Sequence, residues 1–189
     1  MDPEYGGNPV LREALRLLAE IMAAAAIAWL VVASFGRSVI NSGQSMQPLL
    51  ESGESVLVDR ISYHFTPVRR YDVIAFYLGS DDSAPEEVSI KRVLGLPGET
   101  VRIDGGQLFV NGRVPEGPEG MTEVDLAGLA ASPIELGEGE YFVLGDNRTA
   151  SEDSRFGSIG NIPRERMIGR VWLRIKPFSR FMLIKREKE

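Results

Sequence analysis

Thr100-Val101-Arg102-Ile103-Asp104-Gly105-Gly106-Gln107-Leu108-Phe109-Val110 sets two short runs rich in β-branched and aromatic residues on either side of a glycine turn, a strong hairpin signal. The same texture extends outward. Ser55 to Arg60, Asp72 to Leu78, Val88 to Leu94 and Tyr141 to Leu144 are further strand candidates, and Met167 to Ile175 closes the series. Gly, Pro, Asp and Asn separate these runs. The stretch from Gly112 to Gly139, rich in Gly, Pro and Glu, reads as an insertion or excursion loop. The expected fold is therefore mainly β, a partly open antiparallel barrel or sandwich over residues 38–189, without internal repeats.

Composition narrows the function. A chain of 189 residues with 43% apolar content suits one modest domain plus an appendage. The net charge of -6, with no basic stripe, argues against a nucleic-acid partner, because phosphate binding draws on clustered Lys and Arg. Zero cysteines exclude disulfides, thiolate metal ligands and a cysteine nucleophile. The one histidine, His64, lies in Ser62-Tyr63-His64-Phe65-Thr66-Pro67, which reads as a strand end entering a turn beside two aromatics. A histidine-based zinc site fails for want of a second ligand, and neither a metal nor a cofactor is expected.

The appendage is residues 1–37. Asn8-Pro9 is a helix start signal, and from Ile21 to Gly36 there is no charge. With Leu17, Leu18 and Ala19 added, the run reaches bilayer length, and Arg16 and Arg37 can snorkel to the two interfaces. The expectation is one transmembrane helix, N-terminus inside and the β-domain outside. The competing reading is a cleavable signal peptide, since Arg12 and Arg16 precede the apolar run and the small residues Ala33, Ser34 and Gly36 follow it.

Three polar clusters carry the chemistry. Ser42-Gly43-Gln44-Ser45-Met46-Gln47-Pro48 follows the apolar run, so Ser45 is a candidate nucleophile close to a membrane surface. With histidine scarce, its base must be a lysine or a carboxylate. Lys91 stands within Ser89-Ile90-Lys91-Arg92-Val93-Leu94, where strand alternation puts it on the face of Ser89 and Val93. A lysine held in an apolar surround loses its charge more easily and becomes an amine able to take a serine proton. The plain alternative is a solvated pair, Lys91 and Arg92, at a sheet edge. Gly145 to Gly157 is a polar loop after an apolar strand, in which Asp153 and Arg155 can pair and Ser151 can orient a lysine amine by one hydrogen bond.

These clusters, in this order behind the apolar segment, resemble the bacterial type I signal peptidases, the Ser-Lys proteases that release exported proteins from the membrane. The resemblance runs from the apolar segment through Ser42–Leu50, Gly53–Asp59, Arg70–Phe76, Lys91–Glu99 and Gly145–Gly157 to Gly169-Arg170-Val171. It implies Ser45 as nucleophile and Lys91 as general base, Ser151 as the serine that orients the lysine, and Asp153 and Arg155 as braces of their loop. It also implies a β-domain resting on the lipid bilayer, preprotein signal peptides as substrates, and shallow pockets that suit Ala-X-Ala before the cut. Met46 and Val93 are wall candidates, although core packing accounts for them equally well.

The chain departs from the family in places. Pro48-Leu49-Leu50 stands where Pro-Thr-Leu is usual, and Gly53-Glu54 where Gly-Asp is usual. Gly43 lies where some members carry a serine hydroxyl that helps hold the oxyanion, which makes this chain similar to the Gram-positive subgroup. Two rival readings share parts of the pattern. One is a self-cleaving Ser-Lys protease of the SOS-repressor type, disfavoured by the apolar segment, by the Gly145–Gly157 loop and by the lack of a DNA-binding module. The other is a membrane-tethered β-domain serving as an adaptor or pilus-assembly scaffold, which would be expected to have lost Ser45 or Lys91.

Overall fold

The computed structural model describes residues 9–79, 87–117 and 120–187, and for 30–35 the backbone alone. The chain divides into two compact units, Met1–Gly36 and Arg37–Glu189.

The first unit is helix α1, Pro9–Phe35. Proline at its first position has no N–H to leave unsatisfied, while Asn8, expected as its cap, lies outside the described residues. Arg16 Nε donates to Glu20 Oε1 at 3.1 Å, one helical turn away on an exposed face. The expected transmembrane helix requires a correction here. Among the described residues no helix is long and apolar enough to cross a membrane. Arg12, Glu13, Arg16 and Glu20 occupy the first turns, which leaves the uncharged part of the helix, Ile21 to Phe35, about 22 Å long at 1.5 Å per residue, short of a hydrocarbon core of about 30 Å. The described apolar side chains from Ile21 to Trp29 are exposed all the same, with Ile21, Ile27 and Trp29 among the most exposed apolar residues of the chain.

The second unit is built on an antiparallel sheet. Its strands are β1 (Gly36–Ile40), β2 (Ser55–Asp59), β3 (Val73–Tyr77), β4 (Val88–Gly95), β5 (Thr100–Asp104), β6 (Gln107–Val110), β7 (Ile134–Glu135), β8 (Glu140–Leu144), β9 (Ile162–Pro163), β10 (Met167–Lys176) and β11 (Met182–Leu183). The large sheet runs β1-β2-β10-β3-β4-β8-β9, with β11 also on β10, and a small sheet runs β6-β5-β7. The path is open from β1 to β9, so the barrel alternative is corrected to an open sheet with a smaller one beside it. The small sheet follows directly from its turn. Gly105 and Gly106 adopt φ of 55° and 81°, the positive values a two-residue hairpin turn demands.

Alternation along β3 explains why the large sheet is buried on both faces. Val73 and Ala75 join a core with Met46, Leu50, Val56, Val58 and Ile90, while Ile74 and Phe76 join another with Val93, Val143 and Ile162. A third core, with Leu94, Val101, Leu108, Leu136 and Phe142, fastens the small sheet to the end of β4. His64 sits in a short helix, α2 (Ser62–Phe65), rather than at a strand end, and is exposed. The stretch from Gly112 to Gly139 contributes more than a loop, since β7 and a 3-10 turn at Gly128–Ala131 arise within it.

Gly95 marks the tightest junction in this packing. A Cβ there would stand 2.7 Å from both Leu136 Cδ1 and Val101 Cγ2 and 2.9 Å from Phe142 Cβ. Gly95→Ala is therefore expected to lower stability by about 1–3 kcal/mol, as overpacked cores do, read as a fall in melting temperature by circular dichroism. An unchanged melt would mean the small sheet is free to move off β4.

Candidate active site

Ser45 is held in a turn nailed down on both sides. Met46 and Leu50, fully buried, anchor the turn from below, and Leu50 N–H donates to Met46 C=O at 2.8 Å. Asn41, itself buried, spans the turn: its Nδ2 donates to Glu51 C=O at 2.9 Å and its N–H to Glu54 C=O at 2.8 Å. Gly43 takes φ of 86°, a left-handed conformation open to glycine without strain, and its N–H donates to Ser52 Oγ at 3.2 Å. Ser45 N–H donates to no group among the described residues.

Lys91 arrives from β4, which β3 clamps by antiparallel pairing from Val73↔Arg92 to Tyr77↔Val88. Its side chain is only 5% exposed. Lys91 Nζ lies 2.9 Å from Ser45 Oγ and 3.1 Å from Ser89 Oγ, and among the described residues no ion pair joins it to an acid. Burial pulls the amine below the usual lysine range, opposed by the negative charges of Asp153 and Glu152. Its neighbour Arg92 points the other way, as alternation requires, and grips Asp146 through two bonds of 2.7 Å. The solvated sheet-edge pair considered from the sequence is thereby replaced by two buried basic side chains with different partners.

The third element is the loop after β8. Asp153 is fully buried and collects five donors: Arg155 Nε at 2.7 Å, Arg155 Nη2 at 2.9 Å, Arg155 N–H at 3.3 Å, Gly145 N–H at 3.0 Å and Ser151 Oγ at 2.7 Å. Arg155 spends its remaining reach on the carbonyls of Leu126, Arg148 and Ser151. A fork-to-fork pair with both ends satisfied is the arrangement in which burying two charges is tolerable. The loop then meets the serine turn, where Asn147 N–H donates to Ser45 C=O at 3.0 Å. Gly145 permits that approach, because a Cβ there would lie 2.2 Å from Ser151 Oγ and 2.5 Å from Ser45 C=O.

Of the residues singled out in the sequence, Ser45 and Lys91 come together, and Asp153 pairs with Arg155. Ser151 differs from expectation. Its hydroxyl serves Asp153, no hydrogen bond joins it to Lys91, and the lysine's second partner is Ser89. Met46 and Val93, expected as pocket walls, are fully buried in separate cores. A cleft of about 230 Å³ that includes Ser45 and Lys91 has a mostly polar lining, with Leu78, Val88, Ile90, Ala150 and Ile159 as its apolar part. The signal for Ser89 was its spacing two residues from Lys91 on one strand face. No comparable signal exists for the cleft walls, which come from distant segments.

Glu152, on the rim of this cleft, supplies a test of the electrostatics. Its negative charge favours the protonated lysine, so Glu152→Gln is expected to move the loss of the Lys91 proton to lower pH. A carbon NMR titration of the Lys91 side chain reads this directly, and a shift to higher pH would contradict it.

With this geometry in place, comparison with known proteins is informative. Residues 14–176 match the family model described as signal peptidase, peptidase S26. The chain is 40% identical over 141 residues to a signal peptidase I of Leptolyngbya laminosa, covering 72% of this chain and 67% of that one. It is 34% identical to a signal peptidase I of Bacillus caldolyticus, over 85% and 90% of the two chains. A signal peptidase IB of Staphylococcus aureus is 31% identical over 87% and 92%. A crystal structure of a signal peptidase I from Enterococcus faecalis matches 56% of this chain and 97% of its own at 27% identity, with a TM-score of 0.42. The breadth of the family match and the identities across most of the chain lead to one conclusion: this chain belongs to the signal peptidase, peptidase S26, family.

Proposed function

We propose that this signal peptidase cuts exported preproteins with Ser45 Oγ as nucleophile and the neutral amine of Lys91 as general base. The single observation that carries the reading is the 2.9 Å approach of a buried lysine amine, without an acidic partner, to a hydroxyl on a rigid turn. As the Oγ–carbon bond forms at the scissile carbonyl, the serine proton passes to Lys91 Nζ and the carbonyl electron pair moves onto oxygen. Ser45 N–H, which donates to no group among the described residues, supplies one donor to that oxyanion. The resulting ammonium gives its proton to the leaving amine nitrogen as the peptide bond breaks, and water, deprotonated by the same lysine, then releases the acyl group. Asp153 and Arg155 hold the loop against which Ser45 rests.

Substrate and place follow from the surroundings. The apolar part of the small cleft, Leu78, Val88, Ile90, Ala150 and Ile159, leaves room for short apolar side chains beside Ser45, in keeping with cleavage after Ala-X-Ala-like sites. The exposed apolar side chains of α1, followed in sequence by further uncharged residues to Gly36, support attachment to the cell membrane, and the family resemblance puts the β unit on the outer side. Protease accessibility of the β unit in intact cells tests that placement.

The full chain in detergent, incubated with a preprotein bearing an Ala-X-Ala site, is expected to yield one cut after the second alanine, mapped by mass spectrometry. Ser45→Ala and Lys91→Ala are each expected to lower kcat/KM by at least about 10³-fold with folding intact, and near-normal turnover in either removes that residue from the scheme. Only the deprotonated amine accepts a proton, so activity should rise with pH through a lysine pKa depressed by burial. A flat profile from mildly acid to alkaline conditions contradicts this.

A further inference from the structure

We propose that Glu87 and Glu152 make the cleft at Ser45 selective for preproteins that carry a Lys or Arg side chain close to the cut. This rests on the Ser45–Lys91 reading above and concerns which substrates that site prefers. The serine turn, the start of β4 and the loop after β8 all contribute to the cleft, and its charged lining residues, among those described, are Glu87, Lys91 and Glu152. Lys91 must be neutral to take the serine proton, so in the working enzyme this lining carries two negative charges and no positive one. Both glutamates are exposed, and neither enters an ion pair among the described residues. Glu152 Oε1 accepts from Ser158 Oγ at 2.5 Å, which steadies the carboxylate and leaves its second oxygen without a hydrogen bond among the described residues.

A lone glutamate on an open surface is solvated and selects nothing. These two differ because a peptide seated for attack at Ser45 covers the cleft and displaces the water around them. A carboxylate that loses water without gaining a partner is costly, and an ammonium or guanidinium brought by the substrate supplies that partner. An acidic substrate side chain meets like charge instead. Lys and Arg also suit the lining, since their methylene stems can lie along Val88 or Ile159 while the charge reaches a carboxylate. The buried carboxylates are closed to this role, with Asp153 held by Arg155, Asp146 by Arg92 and Glu54 by Arg174.

The same charges bear on the base. Asp153 and Glu152 act on the Lys91 amine from the loop after β8, and Glu87 stands four residues before it on the same cleft. The cations of that loop are engaged elsewhere, Arg155 by Asp153 and Arg148 by the carbonyls of Gly145 and Met121. A substrate cation paired with Glu152 offsets the negative charge that favours protonated Lys91, so a basic substrate carries the base towards its working, neutral form.

The test uses the full chain in detergent at low ionic strength with a preprotein bearing an Ala-X-Ala site. Lys, Gln or Glu is placed in turn at X and at the first and second residues after the cut, and kcat/KM is measured for each. At the most sensitive of these positions the order Lys, Gln, Glu is expected, with Lys over Glu by about tenfold, the scale of two partly screened ion pairs, narrowing to within about twofold near 1 M salt. In the variant with both Glu87→Gln and Glu152→Gln the ratio should fall to within about twofold, and with both Glu87→Lys and Glu152→Lys the order should reverse. Each ratio compares substrates on one variant, so a general loss of activity or stability cancels. The acid limb of kcat should also lie at lower pH with the Lys substrate than with the Glu substrate. A Lys-over-Glu ratio below about twofold at all three positions, a ratio unchanged in the double Gln variant, or a limb at higher pH with the Lys substrate overturns the inference. Ser45→Ala separates it from the reading beneath: if that variant is inactive while the parent ignores substrate charge, only the charge selection falls, and if Ser45→Ala cleaves normally both fall.

Discussion

A lysine amine enclosed by protein, touching two hydroxyls and paired with no acid, is the constraint around which the rest of the β unit is arranged. Water would hold such an amine in its charged form, so the enclosure must be kept at a cost in desolvation. Strand β4 supplies the enclosure by lying between β3 and β8, with cores on both faces of the sheet. The acids nearest in effect, Asp153 and Glu152, act on the amine from a distance and without direct pairing. Full pairing to either would restore the charge and remove the amine's capacity to accept a proton.

The buried ion pairs make sense in the same terms. Asp153 would be the natural partner for Lys91, yet its two oxygens are filled by Arg155, Gly145 N–H and Ser151. Arg92, one residue on from the lysine, is likewise satisfied by Asp146 and by the carbonyl of Tyr71. Arg155 thereby occupies the carboxylate of Asp153, whose charge acts on the lysine. This gives that buried pair a function beyond stability, to which such pairs contribute little when weighed against an apolar replacement.

Much of this organisation was legible in the residues. Strands β2, β3, β4, β8 and β10 fall within a residue or two of the apolar runs that announced them, and the hairpin of β5 and β6 follows from Asp104-Gly105-Gly106. The short strands β7, β9 and β11 carry too few residues to show a period, and β1 begins directly at the end of α1, where the run reads as one apolar segment. In the site, strand alternation placed Ser89 and Lys91 on one face, but which serine would meet the amine depended on how far the Gly145–Gly157 loop folds back. Met46 and Val93 are apolar and close in sequence to Ser45 and Lys91, yet both are packed into cores.

Sequence alone determined the elements and the chemical cast, because period, turn glycines and the scarcity of histidine are local properties. It named Ser45, Lys91 and the pair Asp153–Arg155, and the mainly β fold that carries them. Tertiary structure decided who touches whom: the 2.9 Å approach of Lys91 to Ser45, the bond from Ser89, the capture of Ser151 by Asp153, and a cleft walled by residues as far apart as Leu78 and Ile159. Those outcomes depend on close packing between segments distant along the chain, and a desolvated amine exists only once that packing has closed around it.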